Sequence, residues 1–168
     1  GYSASIAGLI FLPFHTIRLV LPSISGALSD KFGTRPASFL GHLTLLMGLV
    51  LITKLGADAP IWQYIVIITI GGAGLSIFLP ANNSAIMGSV PRDSLSIASG
   101  FLATSRSIGN SVGMALAAAI YASTLGSSRV SETITAPIEA VNAVSQGITV
   151  VAIVSAIGLV AILLRGRG

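Results

Sequence analysis

Apolar positions in this chain neither alternate nor keep to one stripe; they fill five long runs on every side, and polar residues collect in the gaps. The first run extends from about Ala4 to Leu28 and is broken only by Arg18. The second, Ala37 to Thr53, and the third, Ile61 to Val90, carry no formal charge. The fourth, from about Leu95 to Leu125, is broken only by Arg106, and the fifth, Ala140 to Leu164, is again uncharged. A helix needs about 20 mostly apolar residues to cross the hydrocarbon core of a bilayer. A spanning strand would instead alternate over about ten residues. Leu45-Leu46-Met47-Gly48-Leu49-Val50-Leu51-Ile52 does not alternate. The pattern predicts an all-α, polytopic membrane protein of about five transmembrane helices, at about 4-28, 37-55, 61-88, 95-125 and 140-164.

Four connections remain: Ser29 to Pro36, Leu55 to Pro60, Ser89 to Ser94, and Gly126 to Glu139. Three are short, so helices adjacent in sequence run antiparallel. The fourth, with Ser127, Ser128, Ser131, Thr133 and Thr135, reads as a polar surface loop. None is long enough to divide the chain into separate domains.

Composition strengthens the membrane reading. Charged residues make up 8%, against roughly 25% in soluble domains. Hydrophobic residues make up 53% and mean hydropathy is +0.92. The formal net charge is +4, but the basic residues form no patch of the kind that binds nucleic acid. Their distribution fits an excess of Lys and Arg in cytoplasmic loops. Lys31, Arg35, Arg92, Arg165 and Arg167 fall on one side, and Lys54 and Arg129 on the other. This places the N-terminus outside and the C-terminus in the cytoplasm. With no cysteine, disulfides and thiol chemistry are excluded. No cofactor or metal is expected, since His15 and His42 have no companions at ligand spacing. The opening Gly1-Tyr2-Ser3 has neither Met nor a basic leader and reads as a chain entered partway along.

The first connection reads Gly26-Ala27-Leu28-Ser29-Asp30-Lys31-Phe32-Gly33-Thr34-Arg35. It resembles the loop signature of the major facilitator superfamily, matched at Gly26, Leu28, Asp30, Gly33 and Arg35. Gly33 suits a turn with positive φ, and Gly26 allows close helix approach. Asp30 can accept bonds from a helix end or pair with a basic group. Further along come Pro80-Ala81-Asn82-Asn83, then Val90-Pro91-Arg92, Ala98-Ser99-Gly100 and Arg106-Ser107-Ile108-Gly109-Asn110-Ser111-Val112-Gly113. That order resembles the fourteen-helix drug/proton antiporter branch. The resemblance implies a partial major facilitator fold, the last five helices of the C-terminal half, with the N-terminal half outside this sequence. It also implies a plasma-membrane carrier of small organic substrates, proton-coupled, with Gly26, Asp30, Gly33 and Arg35 in a cytoplasmic gate.

Several residues within the runs are candidates in their own right. Gly100, Gly109 and Gly113 place small residues on one helix, which allows backbones to touch. Pro80 removes a helical hydrogen bond. Asn82 and Asn83 are about 100° apart around the axis, so at least one faces a cavity or another helix. Arg18 and Arg106 lie near mid-membrane depth, where a guanidinium requires a carboxylate, carbonyls, water or an anionic substrate. His15 precedes Arg18 by a turn and is expected to share its cavity. All five acids (Asp30, Asp58, Asp93, Glu132 and Glu139) lie in connections or at helix ends. A buried proton-carrying carboxylate is therefore expected upstream, with His15 as the local candidate. No catalytic constellation is present, and Gly71-Gly72-Ala73-Gly74 reads as helix packing rather than a cofactor turn. The competing readings are a free-standing five-helix assembly protein and a carrier of solutes other than drugs.

Overall fold

The computed structural model describes residues 4–56, 59–126 and 136–164. Five helices form: α1 (Ala4–Phe32), α2 (Thr34–Ile52), α3 (Ile61–Gly88), α4 (Leu95–Gly126) and α5 (Ala136–Leu164). The described residues contain no strand. Stretches of α1, α2, α3 and α5 are long and apolar enough to cross a membrane. The 32-residue α4 is long enough, but Ser and Thr recur along it beside Arg106 and Asn110, and it is not among those four. Asp58, the polar loop residues Ser127, Ser128, Arg129, Ser131, Glu132, Thr133 and Thr135, and Arg165 and Arg167 lie outside the described residues.

The first connection differs from expectation. The helix continues through Ser29, Asp30 and Lys31, and only Gly33 separates α1 from α2. Charge marks where a helix leaves the apolar run, not where it stops. The stop belongs to Gly33. Its N–H donates to Ser29 O at 2.8 Å as the last helical bond. Its backbone then turns to φ 91°, ψ 158°, a region open essentially to glycine alone. Thr34 starts α2, and Pro36 sits in its first turn, where the missing N–H has no intrahelical acceptor to lose. Likewise, α3 continues unbroken through Pro80 and α1 through Pro13 and Pro22.

The chain forms two compact units, one of Gly1–Ala85 with Ala152–Gly168 and one of Ile86–Val151. In the first, the buried positions are small: Ser25, Ser29, Ala37, Ser38, Gly41, Gly48, Gly72, Gly74, Ser76 and Ala81, joined by His42. Large apolar side chains face outward, with Leu19 81% and Leu164 80% exposed. This inverts the arrangement of a water-soluble core. In lipid it is the economical one, because small residues let backbones meet and Leu or Ile loses nothing by facing acyl chains.

Helix α2 packs on α3 backbone to backbone. A Cβ placed on Gly41 would lie 2.5 Å from Phe78 N and 2.9 Å from Gly74 O. One on Gly48 would lie 2.9 Å from both N and Cα of Gly71. Helix α1 joins α3 through Ser25, whose Oγ–H donates to Ile77 O at 2.8 Å. The C-terminal part of α5 joins α2 at His42 and Arg35, described next.

Candidate functional site

Two polar clusters stand out in the first unit. The first is centred on Arg18, which has fourteen helical residues on either side of it in α1. At 1.5 Å per residue it lies about 21 Å from each end. Its guanidinium carbon sits 5.3 Å from the centroid of the Phe14 ring, one turn earlier. Phe14 is held in turn by α3. Its Cδ2 and Cε2 occupy the space a Gly72 side chain would take, 2.5 and 2.8 Å from a Cβ placed there. His15 stacks edge-on to Phe14 at 5.1 Å. Arg18 and His15 are both exposed.

Arg18 lies on a stripe of α1 that turns inward further along the helix. Ser25 and Ser29, seven and eleven positions on, share its face by helical periodicity, and both are buried. The energies show what remains unmet. A mid-membrane arginine costs about 2.5–3.5 kcal/mol on insertion scales. A cation–π contact returns about 0.5–1 kcal/mol when exposed and about 2 when desolvated. About 0.5–3 kcal/mol is left for water or an anion to supply. Asp30, the acid on the same helix, is twelve residues away, about 18 Å along the axis.

The second cluster links α2 to α5. The Arg35 Nη2–H donates to Leu163 O at 2.8 Å. Leu163 is next to last in α5, so its carbonyl has no intrahelical donor, and a cation there also opposes the negative end of the helix dipole. Arg35 thus reaches α5, while Asp30 stays exposed in the last turn of α1. His42 is buried, edge-on to Phe78 at 4.9 Å. Its Nε2 lies 2.7 Å from Ser155 O and 3.1 Å from Ser155 Oγ. A carbonyl can only accept, so Nε2 carries the proton and donates. Its Nδ1 is buried and has no hydrogen-bond partner among the described residues. Gly158 makes room for the ring, with Cε1 and Nε2 3.3 Å from where its Cβ would be.

The remaining predicted residues are placed as follows. Asn82 and Asn83 are half-buried in α3. Gly26 is half-buried, and among the described residues nothing lies within 4 Å of a Cβ added there. The second unit carries Arg106, Gly100, Gly109 and Gly113 on α4, all exposed, and the three glycines have the same open space around them. Sequence reasoning missed Gly41, Gly48 and His42. The glycines could have been found from their seven-residue spacing, which puts them on one helix face. Nothing in the sequence distinguishes His42 from His15.

A family model for the Major Facilitator Superfamily matches residues 1–167. The chain belongs to the Major Facilitator Superfamily. It is 32% identical over 121 residues to YhcA of Bacillus subtilis, described as an uncharacterized MFS-type transporter, covering 72% of this chain and 23% of that protein. It is 32% identical over 123 residues to the riboflavin transporter RibZ of Clostridioides difficile, covering 73% and 27%. With the multidrug resistance protein Stp of Mycobacterium tuberculosis it shares 27% over 127 residues, covering 74% and 23%. The chain spans about a quarter of the length of these relatives. Members of this superfamily are integral membrane transporters, and the long apolar helices of α1, α2, α3 and α5 fit that architecture.

Proposed function

We propose that this chain is the C-terminal part of a secondary carrier that exports small, drug-like organic molecules by alternating access, driven by proton influx. The observation that carries the reading is the family match over residues 1–167, together with relatives named for multidrug resistance. In this reading the missing wall of the cavity comes from an N-terminal half, and the carrier sits in the cell membrane with the chain's N-terminus outside and its C-terminus in the cytoplasm. In the first unit α1 and α3 line the path and present Arg18, His15, Asn82 and Asn83; Arg106 of α4 is a further candidate for contact with substrate. Close backbone packing makes α2 and α3 one body, and Gly33 supplies a single-residue hinge beside Asp30 and Arg35 at the cytoplasmic gate. Gly100, Gly109 and Gly113, open among the described residues, offer α4 a smooth surface for a neighbouring helix of the complete carrier.

A relative named as a riboflavin transporter favours one alternative, a carrier of a metabolite rather than a drug. Both readings are tested in proteoliposomes holding the complete carrier under an imposed proton gradient, with ethidium and riboflavin as probes. Gradient-dependent movement of ethidium that is lost in Arg106→Ala at normal expression supports drug export. Movement of riboflavin alone supports the alternative, and movement of neither at any gradient rejects both.

A further inference from the structure

The Arg18 cluster is more specific than a general polar lining. Gly72 of α3 leaves a slot, the Phe14 ring fills it, and the guanidinium of Arg18 lies over that ring midway along α1. The ring therefore positions the cation from one side. A planar guanidinium offers several N–H donors in a fork that matches a carboxylate, and stacking on the ring leaves the in-plane edge that carries those donors available. The ring contact does not repay the cost of the charge at this depth. The acid on the same helix, Asp30, is three turns away and exposed. Arg18 is exposed within this chain, and it lies on the stripe of α1 that buries Ser25 and Ser29 two and three turns further on.

We propose that Arg18, positioned by Phe14 on its Gly72 seat, is the subsite for the anionic group of a carboxylate-bearing planar organic substrate. This rests on the carrier reading above and narrows its substrate class from organic molecules in general to organic acids and zwitterions. The ligand's carboxylate pairs with the guanidinium edge, and its ring system lies along the apolar wall beside Phe14. An exposed His15 one turn away borders the same place.

The test uses the complete carrier in nanodiscs and two matched probes, 2-naphthoate and its neutral isostere 2-naphthamide. Binding is read by calorimetry and uptake in proteoliposomes. Wild type should prefer the acid, and Arg18→Gln should weaken acid binding by about tenfold to a hundredfold, as for loss of a charge-assisted pair. Amide binding should change by less than about twofold, because the apolar wall is intact. Arg18→Lys should recover part of the preference, since it keeps the charge and loses the fork. Removing a charge from mid-membrane relieves an insertion cost, so failure to fold is not expected of Arg18→Gln. An acid-to-amide ratio that ignores Arg18, or equal loss of both probes, overturns the proposal and assigns Arg18 to pairing with a carboxylate elsewhere in the carrier. Arg18-dependent binding without uptake of either probe, or of ethidium, supports the subsite and overturns the carrier reading instead.

Discussion

Gly74→Ala should loosen the α2–α3 pair, while Gly71→Ala, three residues away on the same helix, should not. A methyl at position 74 would meet Leu45 N, and would lie 2.7 Å from Gly41 O and 2.8 Å from Leu45 Cα. All three are backbone atoms and cannot rotate aside. Carbon contacts settle near 3.5 Å, so the two helices would have to part by about 0.7–1 Å. Overpacking of this kind costs about 1–3 kcal/mol, and the better helix propensity of alanine returns up to about 1. The net expectation is a loss of about 0–2 kcal/mol against the native chain and of about 1–3 kcal/mol against Gly71→Ala. At Gly71 nothing among the described residues lies within 4 Å of an added Cβ, so alanine there keeps the propensity gain without the clash. The assay is reversible unfolding in detergent titrated with SDS, followed by fluorescence of Trp62 at the start of α3. If Gly74→Ala proves as stable as Gly71→Ala, the backbone-contact account of this helix pair is wrong.

Other substitutions probe the remaining junctions. Gly33→Ala forces a side chain into the backbone region at φ 91° and should cost about 1–3 kcal/mol in the same unfolding assay; a neutral result would contradict the hinge geometry. Arg35→Gln frees the Leu163 carbonyl and should speed amide exchange in the last turn of α5, with a global loss below about 1 kcal/mol; unchanged exchange there would argue against the cap. His42→Ala removes the bond to Ser155 and opens a cavity against Phe78, with an expected loss of about 1–3 kcal/mol. Retained stability would mean that the ring is not a structural link between α2 and α5.

The number and rough place of the helices were legible because lipid imposes length and apolarity, and the five runs carry both. The glycine turn at Gly33 was legible too, since a loop signature with glycine at that point has a backbone reason. The extent of α1 was not. Ser29, Asp30 and Lys31 look like loop, yet a helix loses nothing by carrying charge past the membrane surface. Helix pairing was also hidden. Small residues recur on α2, α3 and α4 alike, and periodicity states which face they share but not which helix meets it. The contacts seen use Gly41, Gly48 and Gly74, whereas Gly100, Gly109 and Gly113 face open space among the described residues. His42 was invisible for a similar reason: its partner is a backbone carbonyl on α5, and any residue type would supply one. The depth of Arg18 could be counted from the sequence, but its seat on Phe14 and Gly72 could not, because that depends on how α1 crosses α3.

The central claim is that α1 crosses a bilayer with Arg18 turned toward a wet, protein-lined path. This chain holds no cysteine, so the measurement needs a carrier whose remaining segments have also been cleared of cysteine. Single cysteines are placed at position 18 and at position 19, whose Leu is 81% exposed and lies about 100° further round the helix. The complete carrier in native membranes is then treated with a small, charged, water-soluble methanethiosulfonate. The account predicts rapid modification at 18 and none at 19. Modification of both would remove the lipid from around α1, and silence at both would remove the path.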